Sequence, residues 1–142
     1  EKMHTEKMNG ANRKIAKEWL TERIRTESGE CDVEFPEDML PTTGVVVIDD
    51  NSTLLAIGVI LLNNETGVSM CGWVVANPQI RPQKSYIAMN MLLASLPEYA
   101  REFGAKYLMT TFGNRVINRI LDGSGYFVQG DRNAEHKFMK LR

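Results

Sequence analysis

Arg81, Gln83, Lys84 and Ser85 stand together where an apolar strand pattern, Val68 to Ala76, gives way to a helical one. Cationic side chains at a helix N-terminus suit an anion. First-turn N–H groups lack helical partners there, and Arg81 and Lys84 add positive charge beside them. An ordinary surface loop is the plainer reading of the same four residues.

The opposite chemistry lies earlier in the chain. No Lys or Arg intervenes between Arg25 and Arg81, and that stretch carries nine acids, Asp32, Glu34 and Asp38 among them. If the acidic middle and the basic ends also separate in space, a cationic amine is drawn to one and a phosphate to the other. A solvated acidic loop with no ligand is the alternative. Nucleophiles are scarce. Cys31 and Cys71 lie forty positions apart with no Cys-x-x-Cys spacing, and His4 and His136 are the only histidines, so neither a metal site nor a disulfide framework is expected. Cys71, inside an apolar strand pattern, reads first as core filler.

The elements that must hold these residues follow from periodicity. Met8, Ala11, Ile15, Trp19 and Ile24 recur at steps of three to five and predict an amphipathic helix over residues 8–27, ended by Gly29. Residues 28–43 hold Pro36, Pro41 and most of the acids and read as a loop or a short helical turn. Val45 to Ile48, Leu54 to Leu62 and Val68 to Ala76, joined by Asp49–Ser52 and Asn63–Gly67, predict a three-stranded antiparallel meander. Its strands are apolar at nearly every position, so both sheet faces should be covered. A helix from Lys84 or Ser85 should kink or break at Pro97, with Ser95-Leu96-Pro97-Glu98 restarting it as far as Phe103. Tyr107 to Phe112 is a strand, and strand, helix, strand predicts a parallel pair with a right-handed crossover. Asn114 caps a short helix with Ile117, Ile120 and Leu121 inward. Phe127-Val128 and Lys137 to Leu141 complete the sheet.

Two segments carry a resemblance. One is Trp73-Val74-Val75-Ala76-Asn77-Pro78-Gln79-Ile80-Arg81-Pro82-Gln83-Lys84-Ser85-Tyr86-Ile87-Ala88, followed by Met91-Leu92. The other is Glu102-Phe103-Gly104-Ala105-Lys106-Tyr107-Leu108, followed by Asn114 and Gly125-Tyr126-Phe127. Together with the element order they resemble the GNAT (GCN5-related N-acetyltransferase) superfamily over nearly the whole chain. The fold class implied is α/β (α+β): a mixed, mostly antiparallel sheet with helices on both faces and a central parallel strand-helix-strand crossover, one domain over residues 1–142.

The resemblance also implies a site. The family's pyrophosphate loop is Q/R-x-x-G-x-G/A; Gln83 and Ala88 match it, while Tyr86 stands in place of the first glycine, where a ring would crowd the backbone. Acetyl-CoA as acyl donor would then meet Val74, Val75, Ala76, Arg81, Gln83, Lys84, Ser85, Tyr86, Ile87, Ala88 and Asn114, with a backbone N–H near Val74 or Val75 polarising the thioester carbonyl. Asp32, Glu34 and Asp38 would face the amine acceptor. The tyrosine that many members use as general acid is replaced by Leu121, and the glutamate of the fourth strand by only Ser69 and Cys71. Tyr126 and Tyr86 are the substitutes for the acid. A water chain to Glu65, Asp49 or an acid in residues 30–38 is the substitute for the base.

Composition excludes other classes. With 142 residues, 43% hydrophobic and 25% charged, the chain suits one core. The longest apolar stretch, Leu54 to Leu62, is broken by Gly58 and falls far short of the ~20 residues of a membrane span. No signal-peptide core is present, and a cytoplasmic protein is expected. The bases are scattered singly, which argues against nucleic acid. The reading is thus an acyl-CoA-dependent N-acyltransferase acting by direct transfer on a primary amine. A GNAT-like module that binds CoA or a protein without turnover is the alternative, and an interaction domain built on the acidic loop a third. A homodimer stays open.

Overall fold

The computed structural model describes residues 2–112, 115–123, 128–129 and 135–140. Their strands form one sheet in the order β1-β2-β3-β4-β5-β7-β6. The strands are β1 (Met3–Lys7), β2 (Gly44–Asp49), β3 (Leu54–Leu62), β4 (Val68–Ala76), β5 (Tyr107–Phe112), β6 (Val128–Gln129) and β7 (Glu135–Lys140). The helices are α1 (Gly10–Ser28), α2 (Pro82–Glu102) and α3 (Arg115–Gly123). Every pair is antiparallel except β4 and β5, which the α2 crossover makes parallel. The predicted mixed, mostly antiparallel sheet is therefore present.

Both faces of the central strands are covered, as their near-continuous hydrophobicity requires. Val45, Val47, Leu55 and Cys71 pack with Leu92, Leu93, Leu96 and Ala100 of α2 and with Ile117 and Leu121 of α3. The alternate residues Val46, Ile57, Val59 and Val75 pack with Ala16 and Leu20 of α1 and with Phe35 and Leu40 of the following loop. Gly58 lets α2 approach closely: a Cβ there would lie 3.3 Å from Leu92 Cδ2. Gly29 ends α1 in the left-handed region, φ 73°, with its N–H on Arg25 O.

Three expectations change. β1 is a strand that hydrophobic periodicity does not predict. It is an edge strand on β2, tied to the far end of α2 by a Thr5 Oγ1 to Tyr99 Oη hydrogen bond of 3.1 Å and by Lys7 Nζ 5.7 Å over the Phe103 ring. The α2 helix begins at Pro82 and runs through Pro97 as one element. Ser95 does not cap a new helix. Its Oγ donates back to Leu92 O (2.7 Å), while Leu92, Leu96 and Ala100 keep one buried stripe across the proline. The acidic loop is also not segregated from the bases. Arg13 holds Leu40 O (2.6 Å) and Glu37 O (2.8 Å), and Arg25 holds Val33 O (2.9 Å), so the loop lies along the basic face of α1.

Among the described residues no helix is long and apolar enough to cross a membrane. Asn114, Gly125 and Tyr126 lie outside the described residues.

Candidate active-site cleft

The cleft begins where two parallel strands part. β4 pairs with β5 only from Val68 to Cys71, opposite Tyr107 to Thr110. Beyond Thr110, β5 continues on β7 through Thr111 and Phe112, so the last five residues of β4 have no strand on that side among the described residues. The phase of the free edge follows from the other neighbour. Asn77 N–H bonds Leu55 O (2.9 Å), and an antiparallel ladder alternates. Val75 and Trp73 therefore spend their backbone groups on β3, while Val74 and Ala76 turn theirs into the fork. Of the two predicted candidates for a carbonyl-polarising N–H, Val74 faces the opening and Val75 does not.

A cleft of about 650 Å³ opens from this fork. Val74, Val75 and Ala76 form its floor, and Pro82, Ser85, Tyr86 and Met89 of α2 form one wall. Ile117 closes it from α3, and Trp19, Glu22, Arg23, Thr26 and Glu27 line it from α1. A broader hollow of about 790 Å³ lies on the outer side of α1 against Glu34 and Glu37, sharing Glu22 and Thr26 with the cleft. That hollow is lined almost wholly by charged and polar side chains and touches no sheet edge, so the fork is the better seat for chemistry.

The strand-to-helix corner is built by Asn77. Its Nδ2 donates to Leu54 O (3.0 Å) and its Oδ1 accepts from Gln79 N–H (2.9 Å), fixing the turn that launches α2. Arg81 is the N-cap, makes no side-chain cap and is exposed; Pro82 follows at the first helical position. Proline removes one donor from the first turn, but Gln83 N–H still points out of the helix end, because only from Ser85 onward does the ladder close, on Arg81 O (3.0 Å).

The other predicted donor-site residues are spread around that corner. Ser85 lines the cleft. Tyr86 is 48% exposed and stands between the cleft and a groove of about 280 Å³ toward α3, lining both. Ile87 is also 48% exposed and lines neither cavity, while Ala88 is wholly buried against the sheet.

Lys84 turns the other way. Its Nζ sits 3.0 Å from Asp49 Oδ2 in a pair that is mostly or wholly sequestered from solvent. Asp49 also accepts from Asn51 N–H and Thr53 N–H (both 2.9 Å), so one carboxylate ties the first turn of α2 to the β2–β3 turn. The Thr53 amide and then the Lys84 ammonium hold its pKa down at about 2, against the opposing effect of burial. A carboxylate so weakly basic is no proton acceptor at neutral pH, which removes Asp49 from that role. Glu65 lies in the β3–β4 turn, six strand residues and roughly 20 Å from Val74.

The predicted catalytic side chains of β4 are structural. Cys71 is 1% exposed, and burial pushes its thiol up to about 12, so no thiolate forms. Ser69 is fully buried and donates to Tyr107 O (2.7 Å), stapling the paired half of the two strands. Leu121, in the slot of the family's tyrosine, is wholly buried in the core. Asp32, Glu34 and Asp38 are exposed and none lines the cleft; Glu34 pairs loosely with Lys17 at 3.8 Å. The acids that do line it are Glu22 and Glu27. With Trp19, Arg23 and Thr26 they were missed, although Trp19, Arg23 and Glu27 are spaced four apart on one helical face. Arg23 Nη1 donates to Val74 O (2.8 Å), on the free edge of β4.

No protein-family model matches the sequence, and no curated protein matches it. Solved structures do. A GCN5-related N-acetyltransferase from Kribbella flavida superposes with a TM-score of 0.71 at 13% identity, covering 98% of each chain. Spermidine N-acetyltransferase from Vibrio cholerae, in complex with CoA and spermine, gives 0.69 at 12%, covering 98% of this chain and 95% of that one. N-acetylglutamate synthase from Neisseria gonorrhoeae, complexed with coenzyme A and N-acetyl-glutamate, gives 0.63 at 15%; it takes in all of this chain, which spans only 36% of that longer protein. The chain has the GNAT fold.

Proposed function

We propose that residues 1–142 form an acyl-CoA-dependent N-acyltransferase domain that moves an acyl group, with acetyl-CoA as donor, onto a primary amine by direct attack. The observation that carries this reading is the fork itself: β4 leaves β5 after Cys71 and presents the Val74 N–H to a 650 Å³ cleft whose far wall is the first turn of α2. The GNAT neighbours crystallised with CoA support the donor.

In this reading the diphosphate of acetyl-CoA lies at the α2 N-terminus, against the Gln83 amide and the Arg81, Gln83 and Ser85 side chains. The acyl carbonyl receives the Val74 N–H, whose donation strengthens as the oxygen becomes an alkoxide. The amine lone pair forms the C–N bond, the C–S bond breaks, and the thiolate departs. The ammonium proton passes to Glu22 or Glu27, which replace Asp32, Glu34 and Asp38 as the carboxylates near the acceptor. Among the described residues no tyrosine stands ready to protonate the thiolate except Tyr86, so the leaving group takes its proton from Tyr86 or from water.

The test is thermal stability with added acetyl-CoA, paired with a screen of primary amines for free-thiol release. At a hundredfold excess over Kd, a ligand of the native state adds about 2.7 kcal/mol. No shift at millimolar acetyl-CoA or longer acyl-CoAs overturns the proposal. A shift without turnover on any amine favours the non-catalytic module, the reading that Leu121 in the tyrosine slot motivates.

A further inference from the structure

Arg23 is a guanidinium placed at the reacting end of the cleft. It lines the wall within hydrogen-bond reach of the free edge of β4, half-buried, and among the described residues its hydrogen bonding amounts to the single contact with Val74 O at 2.8 Å. Arginine carries five N–H donors in a planar fork. Desolvation lowers its pKa, and Glu27, one turn along α1, offsets this through space without a direct ion pair among the described residues. A half-buried cation on one neutral carbonyl has donor capacity to spare, and the group that matches a planar fork is a carboxylate.

In the proposed function the donor's phosphates sit at the start of α2, against Gln83 and Ser85, while Arg23 sits over Val74, which leaves Arg23 for another anion. The anion must come with the other substrate. Glu22 and Glu27 stand on either side of Arg23 on α1, so an ammonium group has its own partners close by. Arg23 and Glu27 are four residues apart, which puts their Cβ atoms about 6 Å from each other, a spacing that suits the two charged ends of a small zwitterion. Trp19, Met89 and Ile117 supply apolar wall around them.

We propose that the acceptor is an amino acid, its amine beside Glu22 and Glu27 and its carboxylate on Arg23, so that Arg23 sets acceptor specificity. This rests on the acyltransferase reading and names the substrate class of that site. A polyamine would leave Arg23 facing a like charge in a confined space.

The experiment is titration calorimetry on the full chain, with CoA added first and then L-leucine, L-methionine or L-glutamate, each compared with its own primary amide. Wild type, Arg23→Gln and Arg23→Lys are measured alike. At least one free acid is expected to bind about tenfold or more tightly than its amide, the gain of a charge-assisted pair. Arg23→Gln should bring that ratio to within about twofold while leaving the amide affinity unchanged, and Arg23→Lys should fall between. Equal binding of acid and amide by the wild type, absence of binding by all three acids, or equal loss of both by Arg23→Gln, as a bond that merely pins β4 would give, overturns the proposal. The CoA step is read separately: if CoA fails to bind, the acyltransferase reading falls, and the acid-to-amide ratio is still measured on the unliganded chain.

Discussion

Replacing Val74 by proline removes one N–H from the fork and no bond from the sheet. Val74 turns its amide away from β3, so the ladder bonds of Trp73 and Val75 survive, whereas Val75→Pro deletes the bond to Ile57. The fold cost of Val74→Pro comes from clamping φ in a strand and losing a side chain that is 2% exposed, about 1–3 kcal/mol together. For 142 residues the unfolding entropy is about 0.3 kcal/mol per degree, so the melting midpoint should fall by roughly 3–10 °C and leave a folded protein at 25 °C. In the proposed mechanism the Val74 N–H meets the developing oxyanion, so its loss should lower kcat by about 10²–10³, equivalent to 2.7–4 kcal/mol. The assay is thiol release from acetyl-CoA at saturating amine, with circular dichroism melts on the same samples. A folded Val74→Pro that keeps kcat within threefold of wild type refutes the role of this amide and the strand phase behind it.

Other perturbations follow from the packing. Asp49 has a native pKa of about 2 against an ordinary 3.8, so its stabilising effect is complete above pH 4 and drains away as the pH falls toward 2. Acid titration of the melting midpoint should show that limb in wild type and a flatter one in Asp49→Asn; identical curves contradict the assignment. A thiol reagent at pH 8 should label Cys31, which is exposed, and leave Cys71 unlabelled until the protein unfolds, with activity kept throughout, as peptide mapping and the turnover assay will show. Leu92→Ala should cost about 2–5 kcal/mol in urea unfolding, because Leu92 is fully buried between α2 and Gly58; a loss under 1 kcal/mol would mean that the helix does not sit on the sheet as described.

The strands and the crossover were legible because burial on two faces writes itself as unbroken β-branched runs, Val45-Val46-Val47-Ile48 being the clearest. β1 was not, since Met3-His4-Thr5-Glu6-Lys7 pairs on one side only and tucks in just Met3 and Thr5. Pro97 signals a break, yet a helix already buried along Leu92, Leu96 and Ala100 outweighs one missing donor. At the site, the strand-to-helix corner could be read from its residues, but the partners of Lys84 and Ser69 lie 35 and 38 positions away and depend on the assembled sheet. The cleft's own charges escaped notice because polar residues on an amphipathic helix look alike until the far end of β4 selects Glu22, Arg23 and Glu27 from the rest.

In the proposed function the gap between β4 and β5 is the seat of the acyl donor. The direct measurement is an amide nitrogen–proton correlation spectrum of the labelled chain titrated with CoA. The largest shifts should fall on Val74, Ala76, Gln83 and Ser85, with Asn63 to Gly67 at the other end of the strands unmoved. A spectrum that does not change at millimolar CoA, or whose changes gather at that distant turn, contradicts it.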